Sequence, residues 1–478
     1  MFNRKNVRPV VLATATLLSA TALVSVGKVH EVAAADPSPT ATEEEQKGKI
    51  RPGRKNVDLQ VYGHVNQAFL FARGAGDASR TDIVDNDNSA SRFGLRGQYN
   101  FGDWFSGVRL EFNAERNTTD ELTFDTDSDN GTEAGSGDGE DDFLSVRRVH
   151  WNVGSKAFGN LTVGFAQTAT EGITERDLSG TTLISESDID DIGGELQFGN
   201  GIFDTLGTDF EVDDFFNNLD GARSPTITYD LPKFAIGPGA LKITVSGRVE
   251  DDDGAGDDED DDDGTLSGAF EDGVQFLPSV AAVYQAEFDG FEIDTGIGYR
   301  REKDISVGDF AVNSNVFLGS LSVLAANGTN FTVGGGVQTF SEDDDQGATG
   351  DLDPGNENFV FVKAGHRFDA FSFGKTSVSI DGFWGKQIED LGGGGSPVAT
   401  EINADVDALS FGGGIVQEVK PLGAEFYAGA RYYSVDIEDF RNTDGSALSA
   451  AQTDGIATQG LTDLDGIFVF FTGARIRF

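Results

Sequence analysis

The chain has 478 residues, longer than one ordinary domain yet within the compass of a single large β-barrel. Its 81 Asp+Glu against 35 Lys+Arg give a formal net charge of −46, which excludes a partner gripped through nucleic-acid phosphates, because that grip needs a basic surface. The absence of cysteine removes disulfides, a thiolate nucleophile and any Cys-based zinc site, and puts no obstacle in the way of export.

The N-terminus reads as an address. Arg4, Lys5 and Arg8 precede the apolar run VVLATATLLSATALVSVG, and Ala33, Ala34 and Ala35 offer a small-residue cleavage site before Asp36. Residues 1–35 are therefore expected to be a secretory signal peptide cleaved near Ala35. A retained membrane anchor is the rival reading, and the short, Ala/Thr-rich run disfavours it. Residues 36–56, acidic and then basic, are expected to form an N-terminal periplasmic tether. No later apolar run approaches the roughly 20 residues of a helical span. A mature chain embedded in a membrane must then be a closed barrel, because hydrocarbon offers the backbone no other hydrogen-bond partners.

From residue 57 onward the pattern has period two. In GVRLEFNAE, Val108, Leu110, Phe112 and Ala114 lie on one face, and Arg109, Glu111, Asn113 and Glu115 on the other. Strands are expected near 57–72, 90–100, 105–116, 142–154, 159–168, 223–231, 240–250 and 275–288. The second half adds 290–301, 312–323, 328–340, 357–369, 375–387, 403–418, 423–435 and 464–478. Turns such as FGDW (101–104), GSKAF (154–158) and the one around Gly290 are short, whereas the alternate connections are long and rich in Asp and Gly. An even strand count with this alternation specifies an all-β fold, a transmembrane antiparallel β-barrel of about sixteen strands over residues 57–478, with short periplasmic turns and long acidic extracellular loops. A soluble calcium-loaded β-helix is the competing fold; it requires a nonapeptide repeat, and GGGG at 392–395 is isolated.

A barrel in lipid turns apolar residues outward and charges toward a wet lumen. Parity on strands two to four then selects Arg92, Arg96, Arg109 and Arg148 as a basic wall, since Phe93, Leu95, Val108, Leu110, Val149 and Trp151 take the opposite face. Placing such an arginine against hydrocarbon costs about 2–4 kcal/mol at mid-depth. Arg147 has lipid parity and requires an interface or a bulge. The last strand should turn Phe468, Phe470, Ala474, Ile476 and Phe478 outward and Arg475 and Arg477 inward.

Four stretches carry a family resemblance: SRFGLRGQYNFG (91–102), VRRVHWNVGSKAFGNLTVGFAQT (146–168), ARSPTITYDLP (222–232) and the terminal RIRF. Through them the chain resembles the general porins of Gram-negative bacteria, trimeric sixteen-stranded barrels of the outer membrane. The resemblance implies a homotrimer, and it implies that the connection 169–221 folds into the barrel as a constriction loop. Glu171, Glu175, Asp177, Glu186, Asp188, Asp190 and Asp191 would then face the arginine wall, and the opposed charges would create a transverse field that orients dipolar solutes and filters ions. It also implies that Phe478 is an assembly signal read by the barrel-assembly machinery. The family strand usually ends in Gly-Arg, whereas here Gly164 is followed by Phe165, so one pore arginine is missing or replaced.

Segments 125–142, 251–264 and 341–353 are dense in carboxylates that repel one another unless cations screen them. Asp251, Asp252, Asp253, Asp257 and Asp258 are candidates for diffuse Ca2+ or Mg2+ binding, with bridging to anionic lipopolysaccharide; ordinary solvated loops are the alternative. No EF-hand fits: with Asp125 first, Asn130 and Ser136 occupy the glycine and closing-acid positions. His64, His150 and His366 fall on three separate strands without metal-ligand spacing, a lipase would need a positioned, outward-facing Ser/His pair, and GKT at 374–376 lacks the glycine of a phosphate loop. No cofactor follows from the sequence, and no enzyme is expected. The expected function is a water-filled channel for passive diffusion of ions and small hydrophilic solutes. A substrate-selective channel and an outer-membrane anchor or adhesin with cation-binding loops are the alternatives.

Overall fold

The computed structural model describes residues 49–50, 57–74, 78–124, 143–198, 210–251, 274–307, 310–342, 356–390, 402–442 and 464–478. Sixteen staves form one antiparallel ladder. They are β1 (Val57–Arg73), β2 in two pieces (Ser79–Asp85 and Arg92–Phe101), β3 (Trp104–Ala114), β4 (Leu144–Ser155), β5 (Gly159–Gln167), β6 (Arg223–Asp230), β7 (Gly239–Asp251) and β8 (Val274–Phe288). They continue as β9 (Phe291–Val307), β10 (Phe310–Ala325), β11 (Thr329–Glu342), β12 (Asn356–Phe371), β13 (Gly374–Asp390), β14 (Ile402–Val419), β15 (Ala424–Asn442) and β16 (Ile467–Arg477). Each pairs with the next, and β16 returns to β1 from Phe468↔Arg73 to Arg477↔His64, which closes the barrel and leaves no edge. All sixteen expected strands are present. Among the described residues no helix is long and apolar enough to cross a membrane.

Period-two sequence becomes an apolar exterior. Ile297 and Ile380 are 66% and 71% exposed, and Phe93, Val108, Leu110, Val149 and Trp151 all open to the outside, as parity required. An apolar surface of this extent is tolerable only against lipid or another protein. At the short turns glycine is required where the chain doubles back: a Cβ on Gly328, at φ +87°, would meet the Arg367 carbonyl oxygen at 1.9 Å. The C-terminal residue is stitched into the seam, because Phe478 N donates to the Gly63 oxygen at 3.0 Å and Gly63 N donates to the Phe478 oxygen at 3.2 Å. Phe468, Phe470, Ile476 and Phe478 face outward, Ala474 shares their parity, and Arg475 and Arg477 point inward to Glu425.

Two features depart from expectation. The second strand begins at Ser79, not near 90, and it is interrupted: its first piece pairs with Gln67–Arg73 and its second with Val57–His64, while residues 86–91 detour inward through a single turn at Asp87–Ser89. The lumen is also not wet all round. The inward faces of β10 and β12–β16 carry Val316, Leu318, Phe359, Phe361, Val406, Val435 and Val469, all buried and in one apolar cluster with the connection between β5 and β6. That connection lies inside the barrel and supplies Ile173, Ile184, Ile192, Phe210, Phe215 and Phe216 to the same cluster.

Candidate functional site

A loop of irregular backbone inside a barrel must find partners for its N–H and C=O groups. The wall provides them as hydroxyls at lumen parity. Ala169 N donates to Ser246 Oγ at 2.7 Å, Leu178 N donates to Ser322 Oγ at 2.9 Å, Thr181 Oγ1 donates to Ser379 Oγ at 2.8 Å, and Ser320 Oγ donates to the Ile173 carbonyl. Small residues let the loop approach: a Cβ on Gly414 or Gly429 would come within 2.9 or 2.6 Å of Ile184. The far end is bracketed by the β2 detour and by the segment after β3. Asn86 Nδ2 donates to the Leu183 oxygen at 3.0 Å, Gly193 N to the Thr119 oxygen at 2.7 Å, and Glu195 N to the Asp120 oxygen at 2.6 Å.

On the return path a short helix, α1 (Val212–Phe215), is capped reciprocally by Glu211 and Asp214. Phe216 packs against Phe383 and Tyr433, with ring centroids 5.5 and 5.1 Å away, and the Tyr433 hydroxyl lies 2.7 and 2.6 Å from the Ile189 and Ile192 oxygens. The loop is thus fastened along β7, β9–β16 and the β2 detour. The inner face of β2–β4 keeps open polar side chains such as Arg96 and Gln98.

On that open face Arg96 sits directly across from Arg109, and Glu111 directly across from Arg148. Between Glu111/Arg148 and Phe112/Val146 the register slips by one residue, and Arg147 is the extra residue of the bulge. The bulge turns Arg147 inward, so its Nη1 lies 2.7 Å from Glu111 Oε1. Arg109 Nη2 approaches Oε2 at 2.8 Å, Arg148 Nε lies 3.6 Å from Oε1, and the Tyr62 hydroxyl donates to Oε2 at 2.6 Å. Arg92, the fourth expected arginine, donates Nε to the Ala90 oxygen at 2.9 Å beside the detour. At Gly164, φ +133°, a Cβ would sit 2.4 Å from the Val149 oxygen, and Phe165 is paired with outward-facing Val149, so this strand offers no arginine there.

The loop carboxylates divide into two kinds. Asp177 does not face the arginine wall: its Oδ2 accepts from Lys363 Nζ at 2.7 Å, with the two side chains 2% and 0% exposed, so it clamps the loop to β12. Glu171 pairs with Arg223 Nη2 at 2.6 Å, at the first residue of β6. Glu175, Glu186, Asp188, Asp190 and Asp191 are half-buried. Burial raises all five carboxyls above the usual range; for Glu175, Glu186, Asp190 and Asp191 neighbouring carboxylates add to this, whereas Asp188 is held down in part by its hydrogen bond with Asp190 and by Arg223. Glu175 is pushed up to about 7 by burial, then by Asp188 and Glu171, with Arg223 and Arg176 opposing.

The carboxylate that binds the wall arginines is Glu111, which strand parity placed in the lumen without assigning it a role. Lys363, Arg223 and Tyr62 likewise emerge only from the packing. Among the described residues no three His, Asp or Glu side chains converge at metal-binding separation. Asp252, Asp253, Asp257 and Asp258 lie outside the described residues, as does the side chain of Asp251, whose backbone ends β7. The three histidines stay apart: His64 contacts the Ala90 oxygen, His150 lies on β4, and His366 stacks on Phe368.

No family model and no curated protein matches the sequence. Solved structures do match. An anion-selective porin from Comamonas acidovorans superposes with a TM-score of 0.50 at 12% identity, over 88% of this chain and 100% of that one. OmpT, an outer membrane protein of Vibrio cholerae, gives 0.49 at 12% identity, over 90% and 100%. Salmonella typhi OmpF in complex with daunomycin gives 0.48 at 13% identity, over 88% and 98%. At these identities the likeness is one of fold: the chain's closed barrel shares the overall fold of the Comamonas porin.

Proposed function

We propose that the protein is an outer-membrane porin of a Gram-negative bacterium, a water-filled channel through which ions and small hydrophilic solutes diffuse passively, with no covalent step. The observation that carries this reading is the barrel's cross-section. An apolar exterior surrounds a lumen in which the inner face of β2 keeps Arg96 and Gln98 exposed while an acidic loop is fastened to the remaining wall. In this reading Arg92, Arg96, Arg109 and Arg148 form the basic side of the constriction. Glu171, Glu175, Glu186, Asp188, Asp190 and Asp191 form the acidic side, and Asp177 anchors it. Homotrimeric assembly, recognition of Phe478 by the assembly machinery, contact with lipopolysaccharide and loose Ca2+ or Mg2+ binding by the outer acidic loops belong to the same proposal.

Planar-bilayer recording of the detergent-purified protein tests it. Conductance steps in threes with weak ion selectivity are expected, and folded protein that never conducts leaves the anchor or adhesin reading in its place. A substrate-selective channel is the second reading, favoured by a loop that is fastened along both its outward and its return path. Block of the current by one solute class at low concentration distinguishes it.

A further inference from the structure

The wall cations would repel one another if left alone. Arg109, Arg147 and Arg148 all converge on Glu111, which is fully buried. Four neighbouring strands cooperate in this. From β1, Tyr62 reaches across β2, donating to Glu111 and accepting from Arg109 Nε at 2.8 Å. On β2, Gly94 clears the path, since a Cβ there would lie 2.5 Å from Tyr62 Cζ. From β3 comes Glu111, and β4 spends a bulge to bring Arg147 inward beside Arg148. The buried pairs Lys363–Asp177 and Arg431–Asp381 match one cation to one carboxylate on the inner faces of β12, β13 and β15, on the side of the barrel where the loop is fastened. At Glu111 three guanidiniums converge on one buried carboxylate, on the inner face of β3 and β4.

We propose that Glu111 is the specificity-determining positioning residue of the channel: it holds Arg109 and Arg147 against the wall and cancels one of their charges, and so sets how much positive potential a permeating ion meets. The proposal rests on the channel reading. A unit charge acting across about 5–8 Å of water changes an ion's local population roughly twofold to fourfold. Because the same change favours an anion and disfavours a cation, Glu111→Gln should raise the anion-to-cation permeability ratio by about the square of that factor, roughly fourfold to sixteenfold.

The test is the reversal potential of the full-length protein in a planar bilayer under a KCl gradient. Glu111→Gln is expected to shift it toward anions, Glu111→Asp to restore it toward the wild-type value, and Arg147→Gln to shift it toward cations. A purely structural role would lower folded yield or heat resistance and leave the reversal potential in place. Folded Glu111→Gln and Arg147→Gln channels with the wild-type reversal potential overturn the proposal. If Glu111→Gln does not fold, Arg147→Gln decides alone, and the absence of a cation shift is the overturning result. A wild-type protein that does not conduct removes the channel reading and this proposal with it, which is a distinct outcome from a conducting wild type with insensitive variants.

Discussion

Asp177 separates two roles that sequence alone could not tell apart. Its partner Lys363 has no exposed surface, and its Nζ also lies against the Ser185 oxygen, so the ammonium is held entirely by the loop. Asp177→Asn keeps the shape and removes the charge. Breaking one side of a buried pair typically costs about 3–5 kcal/mol, because the remaining ion is left desolvated and uncompensated. Taking the lower figure, the undocked population of the loop rises roughly 150-fold. Limited trypsin digestion followed by mass spectrometry reads this at Arg176, which is now buried with Nη1 3.8 Å from Asp294 Oδ2. The variant should be cut there far faster than wild type, and its single-channel current should gain closures. Asp177→Asn combined with Lys363→Met, a neutral apolar replacement, should recover protection. If Asp177→Asn keeps wild-type resistance and a quiet current but changes ion selectivity, then Asp177 lines the pore and the clamp argument is wrong.

Glu175, pushed up to about 7 by burial and then by Asp188 and Glu171, makes ion preference depend on pH: lowering pH from 8 to 6 protonates it, and the reversal potential should move toward anions. Stability should follow the same group. An acid whose folded pKa is raised binds more protons folded than unfolded between the two values, so its contribution is intact at low pH and is lost as pH climbs from about 4.3 through about 7. The unfolding midpoint in detergent should therefore be higher at pH 6 than at pH 8, and an equal or reversed order would contradict the crowding. Gly429→Val should force Ile184 and Phe471 aside, since even a Cβ would sit 2.6 and 2.9 Å from them, and should open the 181–185 stretch to protease while the barrel survives. Deleting Phe478 removes both seam hydrogen bonds to Gly63; assembly in cells should fall sharply, and unchanged yield would remove the assembly-signal role.

The barrel was legible because its signal is local and repeated. Period two survives in every stave, turn glycines punctuate it, and lipid enforces parity on the outer face, so Val108, Leu110, Val149 and Trp151 were placed correctly. The broken second strand was not legible, since SRTDIVD is short and acidic and its hydrogen-bond partner is the upper half of a strand whose lower half is paired elsewhere. Arg147 marked a bulge by its wrong parity. What parity could not give was the partner, because Glu111 becomes the common ligand of three arginines only when β3 and β4 slip by one residue. The dry half of the lumen had a signal of a different kind. Ser246, Ser320, Ser322 and Ser379, with Gly296, Gly414 and Gly429, fall at inward positions where a water-filled barrel would have no reason to prefer small side chains, and the loop that fills the space lies far away in sequence.

That division of the lumen bears on how selectivity can be set at all. A net charge of −46 is spread over the whole chain, and much of it sits in the segments 125–142, 251–264 and 341–353, on long connections between strands. Exposed charges further than a screening length of about 8 Å from an ion are largely masked at physiological salt. The loop buries apolar side chains against the inner faces of β10 and β12–β16 and carries its own carboxylates into the lumen. Among the described residues, the charged groups inside the barrel include the arginines gathered on Glu111, with Arg92 and Arg223, and the loop carboxylates Glu175, Glu186 and Asp188. Neutralising Glu111 should therefore outweigh the loss of several carboxylates from an outer loop, and comparing Glu111→Gln with deletion of 252–264 in the same reversal-potential measurement puts the two scales side by side.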